Sequence, residues 1–412
     1  MNLTIIRNLL LVLGLGVVVF GAGYRMGENN SHFSYNLPTF SNTSVPSTIN
    51  SDNIDFSLFW DVWKRLGDDY INKKALDPKK MFYGAISGMV SSLDDPYTAF
   101  LPPLENKDSK DSLAGHFEGI GAQLGVKDKK IIVVAPLSGT PADKAGLKSG
   151  DFIVKVDGKE TYNWSLPEAV THIRGEKGTK VVLNIFRDGE NKARDISIVR
   201  DTINVPSVEW DVKSVSNSAN KVVYLKLSQF GGSTNDGWTK AVSEIDDYIA
   251  TDSGKRVKGL VLDLRNNPGG YLNGAVFIGS EFLKSGAVVL QEDANGSRQA
   301  FNVNRTGDLL NIPMMVLVDG GSASASEIVA GVLQDRGRAK LVGETTYGKG
   351  TIQDVQDLPG GAGLHITVAK WLLPSGKWIN GKGLTPDFVV ALDEKNPDVD
   401  TQLDKAIGLL GK

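Results

Sequence analysis

The sequence predicts an α/β (α+β) multidomain chain built around a layered core. Three observations carry that prediction. Across residues 201–391, short apolar runs alternate with segments of helical period, as in a sheet covered by helices. Across 113–200 the runs are short, rich in Val and Ile, and broken by Gly, Pro and Asp, as in a small strand-rich domain. Across 54–112, aromatic and aliphatic residues recur at helix spacing. The boundaries that follow are 1–26 (signal anchor), 27–53 (linker), 54–112 (helical segment), 113–200 (strand-rich domain), 201–391 (layered core) and 392–412 (terminal helix).

Composition narrows the function classes. A chain of 412 residues with 41% apolar content has ample core for two or three domains. Acidic and basic residues are interspersed and the net charge is −3, so there is no electrostatic case for nucleic acid. The absence of Cys removes disulfides and thiolate metal sites. The four histidines, His32, His116, His172 and His365, are scattered, so no His cluster calls for a metal. No cofactor is implied.

From the N-terminus, residues 9–22 carry no charge and lie between Arg7 and Arg25. With Ile5 and Ile6 the segment approaches the ~20 residues of a membrane span. It reads as an uncleaved transmembrane anchor, with a removed signal peptide as the alternative. Either reading places the rest outside the cytoplasm, periplasmic or cell-surface. Residues 27–53 are rich in Ser, Asn, Thr and Pro and read as a tether. Phe56, Phe59, Trp60, Trp63 and Leu66 form a helical stripe read as core packing. A second helix, 81–93, ends at Asp94-Asp95-Pro96-Tyr97.

In the strand-rich block, strands are expected at 131–135, 181–186 and 196–199, with a helix over 165–173. Gly119-Ile120-Gly121 opens the block, either as a tight turn or as a loop offering successive backbone N–H groups. In the core, strands are expected at 222–227, 259–264 and 314–318, and helices at 238–250 and 273–282. No Gly-x-Gly-x-x-Gly stands at a strand–helix junction, so a dinucleotide site is not supported. His365 lies in an apolar strand and reads as packed.

The stretch 314–353 carries the chemistry. An apolar strand runs into Asp319-Gly320-Gly321, then Ser322-Ala323-Ser324-Ala325-Ser326-Glu327 and a helical pattern. A small-residue turn at a helix start presents a hydroxyl beside backbone N–H groups that lack internal acceptors. Acyl transfer needs that combination of nucleophile and oxyanion site. A serine also needs a base. No histidine sits in a triad motif, whereas Lys349, between two glycines and after the apolar Leu341-Val342, is placed for burial. Burial disfavours the ammonium and makes a neutral lysine base available. Taken singly, the serines could equally be helix caps or helix-bonded hydroxyls. Glu327 and Asp335 read as structural.

Ser322 to Ile328, Gln334-Asp335, Gly337-Arg338-Ala339, Gly343-Glu344-Thr345, Gly348-Lys349-Gly350 and Gln353 together resemble the carboxyl-terminal processing peptidases, or tail-specific proteases. The resemblance spans about residues 54–410 and implies a crotonase-like (ClpP/crotonase) layered protease core with an inserted PDZ domain. It implies a serine endopeptidase that cuts exported proteins near their C-termini. Ser324 would be the nucleophile, Lys349 the general base and Gln353 the residue orienting the amine. The oxyanion hole would come from Ala325 and a glycine of Asn267-Pro268-Gly269-Gly270, either Gly269 or Gly270. Gly119, Ile120 and Gly121 would hold the carboxylate of a protein or peptide substrate with an apolar C-terminus, the tail adding as a strand beside the 165–173 helix. The N-terminal helical segment would support a homodimer. The rival function is a catalytically inactive PDZ peptide-binding scaffold.

Overall fold

The computed structural model describes residues 55–411, apart from 128, 394–395 and 397–398. The expected signal anchor and linker, and parts of the expected C-terminal segment, lie outside the described residues. Among the described residues no helix is long and apolar enough to cross a membrane.

The chain divides into two units, residues 1–77 and 78–412. In the first, the helix Ser57–Asp69 buries none of its residues. The aromatic stripe expected to be core packing is therefore exposed, with Phe59 at 37% and Trp60 at 44%. Residues 55–77 supply only one further short 3₁₀ turn, too little to cover it. Phe59, Trp60 and Trp63 instead pack on one another, with ring centroids 5.0–6.4 Å apart.

In the second unit, a six-stranded sheet runs in the order Val208–Ser214, Lys221–Leu227, Val257–Asp263, Met314–Val318, Lys340–Gly343, Phe388–Val389. Only the first pair is antiparallel. Alternate residues of a strand face opposite sides, and here both sides are buried. Leu225, Leu260, Leu262, Val316 and Leu341 face helices Thr234–Ala250, Leu272–Phe282 and Ala325–Asp335 through Trp238, Ile245, Ile278 and Val332. Val222, Val261, Leu317 and Val342 face helix Thr401–Leu410 through Ala406 and Ile407. That explains the unbroken apolar runs of these strands.

A second sheet joins Ala99–Leu101, Gly363–Leu372, Ala287–Glu292 and Arg298–Asn302, with Thr351–Asp357 also paired to Gly363–Leu372. Helix Pro78–Ser91 belongs with it: Val90, Phe100 and Ala362 share a small core.

The strand-rich domain has its own closed core, including Ile131, Val133, Ile153, Leu183 and Ile198. Its sheet order is Ala122–Lys127, Lys130–Pro136, Phe152–Val156, Lys180–Phe186, Arg194–Val199. The chain enters through His116–Gly119 and leaves through Asp201–Asn204, which pair antiparallel as a two-stranded stalk. The domain is thus an insertion into the larger unit.

Candidate active site

Parallel neighbours in a sheet present their C-terminal ends at one edge, where α/β sites form. Three adjacent strands do so here. Val257–Asp263 leads to Asn267-Pro268-Gly269-Gly270, Met314–Val318 leads to Ser324, and Lys340–Gly343 leads to Lys349.

Ser324 immediately precedes helix Ala325–Asp335 with φ 57° and ψ −117°. A residue with a Cβ holds such backbone angles only where its surroundings force them, at about 1–3 kcal/mol. The surroundings are visible. Ser322 Oγ donates to Leu264 O at 2.8 Å, and Ser326 Oγ donates to Asn267 O at 2.9 Å. The Ala323 N–H donates to Asn267 O at 2.9 Å. Both flanking serines are fully buried and committed to carbonyls, so they are structural, while Ser324 is half-buried at the turn.

The Glu327 carboxylate organises the rest. It is fully buried and accepts four bonds. Oε1 receives the Thr346 hydroxyl at 2.5 Å and the Gly348 N–H at 2.7 Å. Oε2 receives the Ser324 N–H at 2.8 Å and the Lys349 N–H at 2.9 Å. Two bonds of that length to one atom keep the Ser324 and Lys349 backbone nitrogens within about 6 Å. The helix N-terminus further favours this buried negative charge.

Burial holds the Lys349 amine below its ordinary pKa, and the Asp95 carboxylate pulls the other way. The Lys349 Nζ sits 4.9 Å from the centre of the Tyr97 ring, and among the described residues it has no hydrogen-bond acceptor. Gln353 lies one turn of strand beyond. Its Nε2 donates to Thr351 Oγ1 at 2.9 Å and to Thr367 Oγ1 at 3.1 Å. His365 is half-buried in Gly363–Leu372; burial, then the charge of Lys349, push its imidazole below the usual value.

Of the two glycines expected to donate to an oxyanion, Gly269 does not offer its N–H, which is bonded to Asn267 Oδ1 at 2.9 Å. Gly269 instead serves by lacking a side chain: with φ +98°, a Cβ there would lie 2.8 Å from Ser324 Cβ and 2.9 Å from Ala325 N. Among the described residues the N–H groups of Gly270 and Ala325 have no acceptor.

In the inserted domain, Ala122–Lys127 is an edge strand that packs beside helix Leu166–Ile173. Gly119, Ile120 and Gly121 lead into it. The carbonyls of Ile120 and Gly121 are bonded to Ala142 N–H and Leu137 N–H, which fixes the loop, and Thr140 packs where a Gly121 Cβ would be.

A profile of peptidase family S41 matches residues 221–390, and a PDZ-domain profile matches residues 119–198. The chain is 38% identical over 334 residues to the carboxy-terminal processing protease CtpA of Bacillus subtilis, covering 81% of this chain and 68% of that one. It is 40% identical over 348 residues to the carboxy-terminal-processing protease of Bartonella bacilliformis, covering 84% and 77%. This chain belongs to the carboxy-terminal processing proteases of family S41. It is therefore a serine-type peptidase carrying a PDZ domain, a peptide-binding module. Among solved structures it resembles a photosystem II D1 C-terminal processing protease, with TM-score 0.50 and 29% identity over 86% of this chain and 97% of that one. A Bacteroides fragilis S41 protease shares the fold, with TM-score 0.54 at 18% identity over 84% and 96%.

Sequence reasoning placed Ser324, Lys349 and Gln353 in one region. Asp95 and Tyr97 are legible as the end of a helix, a Pro-containing turn of ordinary kind, and as part of Asp95-Pro96-Tyr97-Thr98, which resembles the family's segment ahead of the PDZ domain; neither signal points to Lys349.

Proposed function

We propose that this S41 peptidase cleaves protein substrates near their C-termini with Ser324 as nucleophile and Lys349 as general base. The observation that carries this is the shared Glu327 oxygen, which fixes both residues on one edge of the sheet. Neutral Lys349 takes the Ser324 hydroxyl proton as Oγ attacks the scissile carbonyl carbon. The N–H groups of Ala325 and Gly270 receive the oxyanion. The Lys349 ammonium returns the proton to the departing amine, leaving a Ser324 ester. Water then attacks the ester, giving a proton to Lys349, which hands it to Ser324 Oγ as the acyl–oxygen bond breaks and the acid product leaves. Gln353 has its Nε2 held by two threonines and makes no bond to the amine in this state; its Oε1 is the atom left to orient it.

The PDZ domain captures the substrate tail. Gly119, Ile120 and Gly121 take the terminal carboxylate, and the apolar tail extends the edge strand Ala122–Lys127. The apolar run at 9–22 supports export and membrane anchoring, hence a periplasmic or cell-surface enzyme. The exposed aromatic helix Ser57–Asp69 supports self-association into a homodimer. No observation favours an inactive scaffold.

Purified enzyme should degrade an unfolded protein with an apolar C-terminus. Ser324→Ala and Lys349→Ala should each lower kcat by at least about a thousandfold without changing the melting temperature by more than a few degrees. Activity near wild type in either variant would refute the dyad.

A further inference from the structure

The amine of Lys349 faces a turn that lies more than two hundred residues earlier in the chain. The Tyr97 ring stands 4.9 Å from Nζ. Tyr97 meets Tyr347 as well, and burial, then that contact, push its phenol up to about 12. It therefore presents a neutral ring face to the amine at any working pH. Asp95 is held rigidly. Its Oδ2 accepts from the Thr98 hydroxyl at 2.6 Å and its Oδ1 from the Tyr97 N–H at 3.1 Å. The turn is fastened to the protease sheet by the Thr367 N–H, which donates to Thr98 Oγ1 at 3.1 Å. Thr367 is also the residue whose hydroxyl receives Gln353 Nε2. One threonine thus ties the turn to the strand that carries Gln353.

We propose that the turn at residues 95–98 is a positioning element for the Lys349 base, with the Tyr97 ring forming the wall against the amine and the Asp95 carboxylate, fixed in the same turn, supplying the negative charge behind it. The proposal rests on Lys349 being the base. The titratable groups around the amine and the Tyr97 ring come from four places: Asp95 and Tyr97 from the turn, Tyr347 from the preceding loop, Glu327 from the helix start and His365 from the neighbouring strand. Glu327 is committed to four donors, and burial, then the charge of Lys349, push the His365 imidazole below its usual value. Asp95 is the charge that acts on the amine. Burial works against the Asp95 carboxylate, but bonds from Thr367, Thr98 and the Tyr97 N–H, together with Lys349, keep its pKa below the usual range. It stays ionised wherever the enzyme works.

The physical role follows from two opposed effects. Burial alone would leave a lysine that is neutral but weakly basic. A general base is most effective when its pKa lies near the working pH. The negative charge of Asp95 and the ring of Tyr97 both favour the ammonium. They restore basicity that burial removes.

The sign of the effect is therefore set. Removing Asp95 lowers the Lys349 pKa, so the acidic limb of kcat/KM against pH moves to lower pH, while the plateau falls because the base is weaker. The test measures the amine directly in Ser324→Ala by competitive acetylation with acetic anhydride across pH, reading Lys349 by peptide mass spectrometry. Adding Asp95→Asn should raise the neutral fraction about three- to tenfold below the midpoint. Tyr97→Leu should raise it about two- to fivefold, and Asp95→Glu should stay near the parent. The same changes in the active enzyme should move the acidic limb by matching amounts. If Asp95→Asn does not fold, Tyr97→Leu carries the test. A labelling midpoint and acidic limb unmoved in folded Asp95→Asn and Tyr97→Leu would overturn the proposal while Lys349→Ala remains inert. An active Lys349→Ala would instead overturn the base assignment, and this proposal with it.

Discussion

Replacing Glu327 with Gln tests the keystone of the site. The change keeps shape and volume but exchanges one acceptor oxygen for an NH₂ donor. All four partners of the carboxylate donate to it, and the Thr346 hydroxyl also accepts the Leu384 N–H at 2.7 Å. If the amide oxygen takes the Oε1 place, the NH₂ faces the Ser324 and Lys349 N–H groups. If it takes the Oε2 place, the NH₂ faces the Gly348 N–H and a hydroxyl that can turn its lone pair towards it. Either way one or two buried donors lose their acceptor, at about 1–3 kcal/mol each. The second arrangement strands only the Gly348 N–H and is the cheaper, so the expected loss is about 1–3 kcal/mol. For a core of about 200 residues, that lowers Tm by roughly 2–12 °C. Activity should fall further than stability explains, because the tie between nucleophile and base is weakened in either arrangement. The assays are thermal unfolding followed by Trp fluorescence, and kcat on an unfolded substrate well below the new Tm. A Tm within 2 °C of wild type together with unchanged kcat would show that Glu327 does not hold the two residues together.

Gly269→Ala should abolish activity while the strands beneath it stay folded, because the added Cβ meets Ser324 Cβ and Ala325 N below 3 Å; a covalent serine probe and a melting curve separate the two effects. Arg265 joins Asp263 and Asp400 through paired bonds of 2.6–3.1 Å, fastening the end of a core strand to the start of helix Thr401–Leu410. Arg265→Ala leaves the buried Asp263 and the partly exposed Asp400 short of a partner and should cost about 2–4 kcal/mol, less than for a fully buried pair, with that helix losing hydrogen-exchange protection first. In the PDZ domain, Asp151 is fully buried, and burial would raise its pKa, but two bonds from Arg187 at 2.7 and 2.8 Å and one from the Lys148 N–H bring it below the usual carboxylate value. A carboxylate with a lowered folded pKa stabilises fully above its unfolded value and loses that contribution as pH falls through the folded one. The PDZ domain should therefore weaken below about pH 4. Asp151→Asn should destabilise it at neutral pH and flatten its acid dependence, as read by unfolding of the chain at a series of pH values.

What could be read from the chain follows burial. Residues 259–264 and 314–318 were recognisable as strands because both faces of that sheet are covered, leaving unbroken apolar runs. Thr351–Asp357 and Arg298–Asn302 are largely exposed and polar, so they carry no period-two signal, and it is pairing with Gly363–Leu372 and Ala287–Glu292 that makes them strands. Helix Pro103–Ala114 buries only Asn106, so it has no apolar face to detect. The site divides the same way. Ser324 and Lys349 stand in motifs that name themselves by resemblance, and Glu327 was already legible as structural. Its four donors were not, since they depend on where two loops come to rest. Asp95 and Tyr97 were out of reach because the bond that brings their turn to the protease sheet, from Thr367 to Thr98, joins residues 269 positions apart. Gly269 was expected as a donor from its place in a glycine pair; that its N–H is occupied depends on how the Asn267 side chain folds back.

Ser324, Lys349 and the loop 267–270 hang from three neighbouring parallel strands that arrive from distant parts of the chain. Until all three lie side by side, no fragment brings Ser324 and Lys349 together. A chain in which one of these strands is out of place keeps the Ser324 turn and the Lys349 loop apart.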